Sequence, residues 1–250
     1  MSDGQTPLVR FASAIEPDWL LDLFPNAIET REELAWNREG ERVEQRNQLR
    51  YEQLAIDESN GPPTDPKAAS EFLAAKAIEA GAERFADVEE LARLMRRVNF
   101  AAEHLKQEIP EDAVAEALRE LAKGCTSFAE MRNVGLLDLL QSILPMRPID
   151  EIAPTHVQLP SGRRAKIEYH DGGPPSVASR LQDFFGMKQT PTVARGAVPL
   201  VVQLLAPNQR PVQVTTDLVS FWKNLYPQVR KELSRRYPRH SWPENPGGTR

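Results

Sequence analysis

The segment ADVEELARLMRRVNFAAEHLKQEI, residues 86–109, places apolar side chains at the 3.6-residue period of an amphipathic helix. Its start carries Asp87 and Glu90 at the spacing of a capping box, which satisfies backbone amides at a helix N-terminus. The apolar stripe consists of Val88, Leu91, Leu94, Met95, Val98, Ala102 and Leu105. This segment predicts a long helix with one buried face, and it is the most strongly patterned part of the chain.

Shorter helical patterns surround this segment between residues 65 and 145. The linker GPPTDPK leads to a helix that has Asp65 as its N-cap and Pro66 in its first turn. Two further helical patterns follow Pro110 and Ser127. We therefore expect residues 65–145 to form a small helical domain.

Residues 1–60 combine an extended start in LVR, one short helix and a stretch of period-two apolar patterning. Pro17 fits the first turn of the helix, and we interpret Trp19, like Trp36 and Trp222, as a core residue. The segments EELAWN, RVEQRNQLRY and QLAIDES alternate apolar and polar residues. They predict an antiparallel β-meander, which is too small to close a barrel or sandwich by itself.

The sequence pattern changes at MRPIDEIAP, residues 146–154, and a third segment, residues 150–250, begins there. HVQLPSGRRAKIEYH has the form of a β-hairpin, and AVPLVVQLLAP and PVQVT predict two strands joined by the turn PNQR. Between them we predict a short helix in VASRLQDFFG, capped by Ser176 and ended by Gly186. A last helix is expected from about Thr216, with Pro227 kinking or dividing it. The predicted fold class is α+β, with an N-terminal antiparallel β-meander, a central small helical domain and a C-terminal mixed α+β domain.

Composition predicts a globular protein that does not insert into membranes. Apolar residues make up 40% of the chain and charged residues 27%, and no apolar run approaches the ~18 residues of a spanning helix. The start MSDGQTPLVR lacks a secretory h-region, so we expect a cytoplasmic protein. The one cysteine, Cys125, excludes an internal disulfide and is expected to be a small core or helix-end residue.

The sequence contains none of the common catalytic patterns. The phosphate-loop patterns G-x-x-x-x-G-K-S/T and G-x-G-x-x-G do not occur, and neither do an acidic DEAH-type tetrad or a G-x-S-x-G elbow. Four scattered histidines lack metal-ligand spacing and are expected at the surface: His104, His156, His170 and His240. We predict no catalytic residue, no cofactor and no metal site, and we lean against enzymatic activity for this chain alone.

Charge is distributed unevenly along the chain, which has a net charge of −5. From residue 155 onward there are 14 Lys and Arg against 6 Asp and Glu, which leaves 17 basic and 30 acidic residues before it. Such asymmetry suggests a polyanion partner for the basic part. Solvated surface on two unlike domains also explains it.

A strong family resemblance lies in RLQDFFGMKQTPTVARGAVPLVVQLLAPNQRPVQVTTDLVSFWKNLYPQVRKELSRRYPRHSWPENP. This stretch, with the LPSGR hairpin and the closing RRYPRHSWPENP, resembles the C-terminal domain of bacterial DEAH-type helicases of the HrpB family. FASAIEPDWLLDLFP and the meander through AIDES resemble the last part of the family's OB-like domain. The resemblance implies an OB-like β segment in residues 1–60, a helical domain in 65–145 and an HrpB-like C-terminal domain in 150–250.

This resemblance implies an accessory role in an ATP-dependent RNA helicase. The family's two RecA-like motor domains would lie before residue 1, so we expect the chain neither to bind ATP in the family's way nor to unwind RNA alone. The implied partners are RNA, bound without sequence preference, and the helicase motor, in cis or in trans. The alternative is a protein-interaction or docking scaffold that recruits the motor or a partner protein.

Basic side chains of the C-terminal part are candidate phosphate contacts, because Lys and Arg supply most of the affinity for nucleic acids. They are Arg163, Arg164 and Lys166 on the hairpin, Arg210 in the strand turn, and Arg230, Lys231, Arg235, Arg236 and Arg239 on the final helix and its exit. Two other roles remain open for them, namely pairing with carboxylates of the acidic half and plain solvation.

The closing stretch KELSRRYPRHSWPENP, residues 231–246, leaves a similar choice for its aromatic side chains. Tyr237 and Trp242 can pin the chain end by apolar packing, stack on unpaired bases, or belong to a loose tail. Because a free tail seldom carries two large aromatics, we expect a docked structural clamp.

Overall fold

The structure is a computed structural model that describes residue 11 and residues 13–105, 109–110 and 112–246. The extended start predicted in LVR, residues 8–10, lies outside these described residues. None of the helices in the described part is long and apolar enough to cross a membrane.

Helices and strands occur in separate runs along the chain, which confirms the α+β class. The helices are α1 Pro17–Leu23, α2 Pro66–Ala80, α3 Val88–His104, α4 Ala113–Leu121, α5 Phe128–Val134, α6 Leu136–Ile143, α7 Met146–Ile152, α8 Leu218–Ser220 and α9 Tyr226–Arg236. The strands are β1 Ile28–Asn37, β2 Arg42–Tyr51, β3 Leu54–Gly61, β4 His156–Gln158, β5 Arg164–His170, β6 Gly173–Arg180, β7 Thr192–Val193, β8 Val198–Pro199, β9 Val201–Leu205 and β10 Pro211–Thr215.

The described chain divides into two compact units. Unit 1 holds the residues up to Phe85 together with Leu118–Gly135. Unit 2 holds Ala86–Ala117 and the residues from Leu136 onward. The helices of residues 65–145 are therefore shared between the units, and the three-domain division drawn from the sequence remains a prediction.

Unit 1 contains the predicted meander, an antiparallel sheet in the order β1-β2-β3. Its first turn is held by the segment before α5, because the Val43 amide donates to the Thr126 carbonyl at 2.8 Å. The Trp36 ring lies 4.8 Å from the Phe128 ring, and Phe85 packs against Phe128 at 4.9 Å. Trp36 thus packs against an aromatic cluster but stays half-buried, so it is less enclosed than the predicted core residue.

Trp19 corrects the sequence-based interpretation, because 54% of its surface is exposed. It lies on α1 near Leu23 and Phe24, which are 69% and 47% exposed. The Phe24 ring lies 5.4 Å from the Tyr51 ring, and among the described residues the short helix finds little other apolar surface to cover. A seven-residue helix with an apolar stripe can bury that stripe only where a partner surface is available.

Unit 2 is built on a five-stranded sheet in the order β10-β9-β6-β5-β4. Its pairs are antiparallel except β6 with β9, which run parallel. β5 alternates exposed and buried residues along its whole length, so one face of the sheet is packed and the other faces water. On the packed face Tyr169 meets Phe100 of α3 at 5.0 Å.

The segment VASRLQDFFG is a second correction, because its first half is not helical. Ser176 does not cap a helix there; it belongs to β6, between β5 and β9, where Val177 pairs with Ile167 and with Val202. Only Leu181–Phe184 forms a single 3-10 turn. Strand pairing on both sides outweighs the weak local preference for helix. α7 lies in MRPIDEIAP, where the sequence pattern predicted no helix.

The C-terminal helix is divided near Pro227, as expected. α8 begins after the cap residue Asp217 and is followed by a wide π-helical turn, Phe221–Leu225. α9 then begins at Tyr226 with Pro227 in its first turn, where a missing amide hydrogen is tolerated. Trp222 is buried in this region and donates its indole N–H to the Met187 carbonyl at 3.0 Å.

Candidate nucleic-acid interface

One end of the unit 2 sheet gathers several of the candidate basic residues. β4 and β6 end at this end of the sheet, and β5 begins there. β9 also ends there, beside the start of β10. Arg164 is the first residue of β5, Arg180 the last of β6, and Arg210 precedes β10. Since neighbouring strands lie about 4.8 Å apart, these residues form a row across the end of the sheet. We call Arg164, Arg180 and Arg210 the sheet-end row.

Backbone hydrogen bonds in two turns hold this end of the sheet in place. The Leu159 amide donates to the Arg163 carbonyl at 2.9 Å, and the Ala206 amide donates to the Arg210 carbonyl at 2.8 Å. All three arginines of the sheet-end row are exposed. Among the described residues none of the three has an ion-pair partner, so their charges face solvent.

Arg163 and Lys166, also on the hairpin, are partly neutralised. Arg163 lies 3.8 Å from the Asp183 carboxylate, which also accepts a hydrogen bond from the Ser179 hydroxyl at 2.6 Å. Lys166 lies 3.3 Å from Glu168 on the same strand face. Both side chains are about half exposed, so these pairs contribute little to stability and can yield to another anion.

Arg230 serves the fold of the chain end. Its Nε donates to the Trp242 carbonyl at 2.8 Å, and its Nη2 lies 3.2 Å from Glu244. This geometry favours structural pairing for Arg230, although the partner belongs to the C-terminal half and not to the acidic half that the sequence suggested.

The remaining candidates cluster toward the end of α9. Lys231, Arg235, Arg236 and Arg239 are exposed, and among the described residues they have no ion-pair partner. The Arg236 guanidinium lies 5.8 Å from the centre of the Tyr237 ring. Arg235 and Arg236 also suit the last helical turn, because cations there interact favourably with the helix dipole. We call these four residues the helix-end cluster.

The closing stretch is docked along α9, in line with the clamp expected from the sequence. Trp242 donates its indole N–H to the Tyr237 carbonyl at 3.0 Å, and the Tyr226 hydroxyl donates to the Pro243 carbonyl at 2.8 Å. Further along, the Gly186 amide donates to the Pro246 carbonyl at 2.6 Å. Burial raises the pKa of Tyr226 to about 12, so the hydroxyl remains a donor even at alkaline pH.

Two of the histidines make structural contacts, and the cysteine is a buried residue. His104 stacks on Phe100 with ring centres 4.6 Å apart, and His170 contacts the Ser176 hydroxyl at 2.8 Å. Cys125 is buried beside the end of α4, where burial raises the pKa of its thiol. In the described part of the chain, no group of three or more His, Cys, Asp or Glu side chains could hold a metal ion.

Comparison with known proteins gives this architecture a family. A family model described as ATP-dependent helicase C-terminal, HrpB_C, matches residues 117–246, which include every candidate basic residue and the docked tail. The chain belongs to this family.

Solved and curated relatives agree with this assignment to the HrpB C-terminal family. The chain is 37% identical over 172 residues to the ATP-dependent RNA helicase HrpB of Escherichia coli, which covers 66% of this chain and 21% of the relative. A crystal structure of E. coli DExH-box NTPase HrpB superposes with a TM-score of 0.71 at 28% identity, over 94% of this chain and 31% of that one. A second, of E. coli DEAH/RHA helicase HrpB, gives 0.60 at 28% identity, over 86% and 29%. The chain thus spans less than a third of the length of these relatives.

Sequence reasoning missed Arg180 as a candidate of the interface. It was assigned to the interior of a helix in VASRLQDFFG, whereas it ends β6 with an exposed side chain. The alternation of Val177 and Ser179 inward with Ala178 and Arg180 outward was the available signal. Four alternating residues are too few to separate a strand from a helix without knowledge of the neighbouring strands.

Proposed function

We propose that this chain is an accessory C-terminal region of an ATP-dependent RNA helicase that holds RNA through its phosphates. Family membership supports the accessory role. The observation that carries the RNA proposal is the sheet-end row, three exposed arginines at one end of the sheet, none of which has an ion-pair partner among the described residues. The helix-end cluster supplies further positive charge on the same unit.

The arrangement is suited to sequence-independent binding. Phosphate contacts carry no base information, and the described water-facing side of β5 and β6 presents charged and small side chains and the His170 imidazole, without a Phe, Tyr or Trp ring for stacking. A few such contacts yield dissociation constants in the micromolar range or weaker at physiological salt. We therefore expect weak RNA binding that falls steeply with salt.

The test is fluorescence anisotropy of the full chain with a labelled single-stranded RNA at several salt concentrations. Replacement of Arg164, Arg180 and Arg210 by Gln removes three phosphate contacts. It should reduce affinity at low salt at least about tenfold and flatten the log–log salt slope by about 2, since each contact contributes about 0.7 for single strands.

The control for this test is a triple Gln variant of exposed arginines in unit 1, Arg31, Arg38 and Arg119, which changes the net charge equally. It should leave the salt slope unchanged. A Gln variant of Lys231, Arg235 and Arg236 measures the share of the helix-end cluster. Absence of RNA binding at low salt, or equal losses in the sheet-end and control variants, would overturn the proposal.

A second candidate function, docking of the helicase motor, is favoured by exposed apolar side chains in unit 1. These are Phe11, Ile15, Trp19, Leu21, Leu23, Phe24 and Leu54, with exposures of 95%, 54%, 54%, 37%, 69%, 47% and 67%. Apolar side chains concentrated in this way are typical of a protein interface.

The docking proposal is tested with the part of the E. coli relative that this chain does not cover. We expect that part to bind the chain in calorimetry, and Trp19→Glu combined with Leu23→Glu to weaken binding at least tenfold. Val88→Glu, at an exposed apolar position of unit 2, is the control. Equal binding by the unsubstituted chain, the double variant and the Val88→Glu variant would exclude docking through this surface.

A further inference from the structure

A groove of about 680 Å³ runs along α2 in unit 1. One wall is the exposed face of α2, and Arg119, Lys123 and Gly124 form the other wall at and beyond the end of α4. The Gly124 amide donates to the Ser70 hydroxyl at 3.2 Å, which ties the two walls together. A Cβ at Gly124 would meet nothing within 4 Å, so this wall opens freely to the groove.

The α2 face in the groove forms a continuous stripe. Lys67, Glu71, Ala74, Ala75 and Ile78 recur at the helical spacing of three to four residues. The stripe becomes apolar toward its end, where Ile78 keeps 39% of its surface exposed. The opposite face of α2 is apolar as well and lies buried in unit 1. Ala74 is itself buried at the floor of the groove, so Ala75 and Ile78 are the apolar side chains of the α2 stripe that stay exposed there.

The dimensions match a helix in a groove. The stripe extends over twelve residues from Lys67 to Ile78, which is about 17 Å of helix or three turns. Helices that bind such grooves contribute apolar anchors at positions i, i+3 or i+4, and i+7, which span two turns. Small side chains such as Ala74 and Ala75 on the floor allow another helix to approach closely.

The charged side chains at the rim of the groove indicate which kind of partner it favours. Lys67, Arg119 and Lys123 line the groove against a single acid, Glu71. Lys123 pairs with Glu120, whereas Lys67 and Arg119 have no ion-pair partner in the part of the chain that the structure describes. The sequence before residue 155 is otherwise strongly acidic, so a basic rim here is a local feature. Complementary charge across an interface favours carboxylates on the partner.

We propose that this groove binds an acidic amphipathic helix of a partner protein. Apolar side chains of that helix would lie on Ala74, Ala75 and Ile78, and its flanking carboxylates would meet Lys67 and Arg119. The proposal concerns unit 1 and does not depend on RNA binding by unit 2.

The test uses the full chain and three fluorescent 18-residue peptides of the same helix propensity. The first has a Leu stripe flanked by Glu, the second the same stripe flanked by Lys, and the third the composition of the first without a stripe. We expect the first to bind at least about tenfold more tightly than the other two. Ala75→Glu with Ile78→Glu should abolish this preference, while Val134→Glu, at an exposed apolar position on α5, should not change it.

Charge reversal separates the proposal from other occupants. Lys67→Glu with Arg119→Glu should weaken the Glu-flanked peptide about tenfold and strengthen the Lys-flanked one, whereas Arg38→Glu should do neither. Equal binding of the three peptides, or none at high micromolar concentration, would overturn the proposal. So would single-stranded RNA that displaces the Glu-flanked peptide, or a dimer in analytical ultracentrifugation that Ile78→Glu dissolves, because either result assigns the groove to a different occupant.

Discussion

Removal of the Tyr226 hydroxyl should release the docked tail without disturbing the rest of unit 2. Tyr226 is fully buried, and its hydroxyl donates to the Pro243 carbonyl at 2.8 Å. Tyr226→Phe preserves the ring and deletes only this bond. The loss of one hydrogen bond, with its carbonyl acceptor left half-buried, costs about 1–2 kcal/mol. Local opening of the tail should therefore become about 5–30 times more frequent.

Backbone hydrogen exchange measures that opening directly. The informative amides are those of Gly186, which donates to the Pro246 carbonyl, and His240, which donates to the Tyr237 carbonyl at 3.1 Å. Protection of these amides from exchange should fall about 5–30-fold in Tyr226→Phe. Protection of the β5 amides should not change.

Tyr169→Phe is a matched control for this experiment. Tyr169 is also buried, and its hydroxyl donates to the Pro154 carbonyl at 2.8 Å, so the substitution removes the same kind of bond elsewhere in unit 2. It should leave the tail amides protected. If both substitutions lower protection of the tail equally, or if Tyr226→Phe leaves it unchanged, the clamp does not depend on Tyr226 and the reasoning is wrong.

Two further predictions concern stability. Arg97→Ala, which removes a buried side chain whose Nε donates to the Ala153 carbonyl at 2.5 Å, should lower the free energy of unfolding by about 2–4 kcal/mol in urea titrations. Arg93→Ala, at an exposed position, should change it by less than about 0.5 kcal/mol, and similar losses in both would refute this ranking. The hydrogen bond from Arg132 lowers the pKa of Glu41 below the usual range of a glutamate, so its contribution to stability is present at neutral pH and is lost as pH falls through that lowered pKa. Urea midpoints across acidic pH should decline less steeply in Glu41→Gln, and parallel declines would contradict the assignment.

Local sequence signals determined the starts and ends of many elements. The predicted caps act as caps: Asp65 accepts the Lys67 amide at 2.9 Å, Asp87 accepts the Glu90 amide at 2.9 Å, and Ser127 follows the same pattern. These contacts join residues two or three positions apart, so the sequence specifies them without help from the rest of the fold. The hairpin of β4 and β5 and the turn before β10 were predictable for the same reason.

The tertiary structure alone decided which basic side chains remain free and which segment pairs as a strand. Arg230 is held by Glu244 because the tail folds back along α9, and Arg180 lies at one end of the sheet because it is the last residue of β6, which is inserted between β5 and β9. Both arrangements depend on residues ten or more positions apart, whose proximity arises only when the chain packs. A periodic pattern specifies which face of an element is apolar, but the partner of that face, and the charges left over, follow from packing.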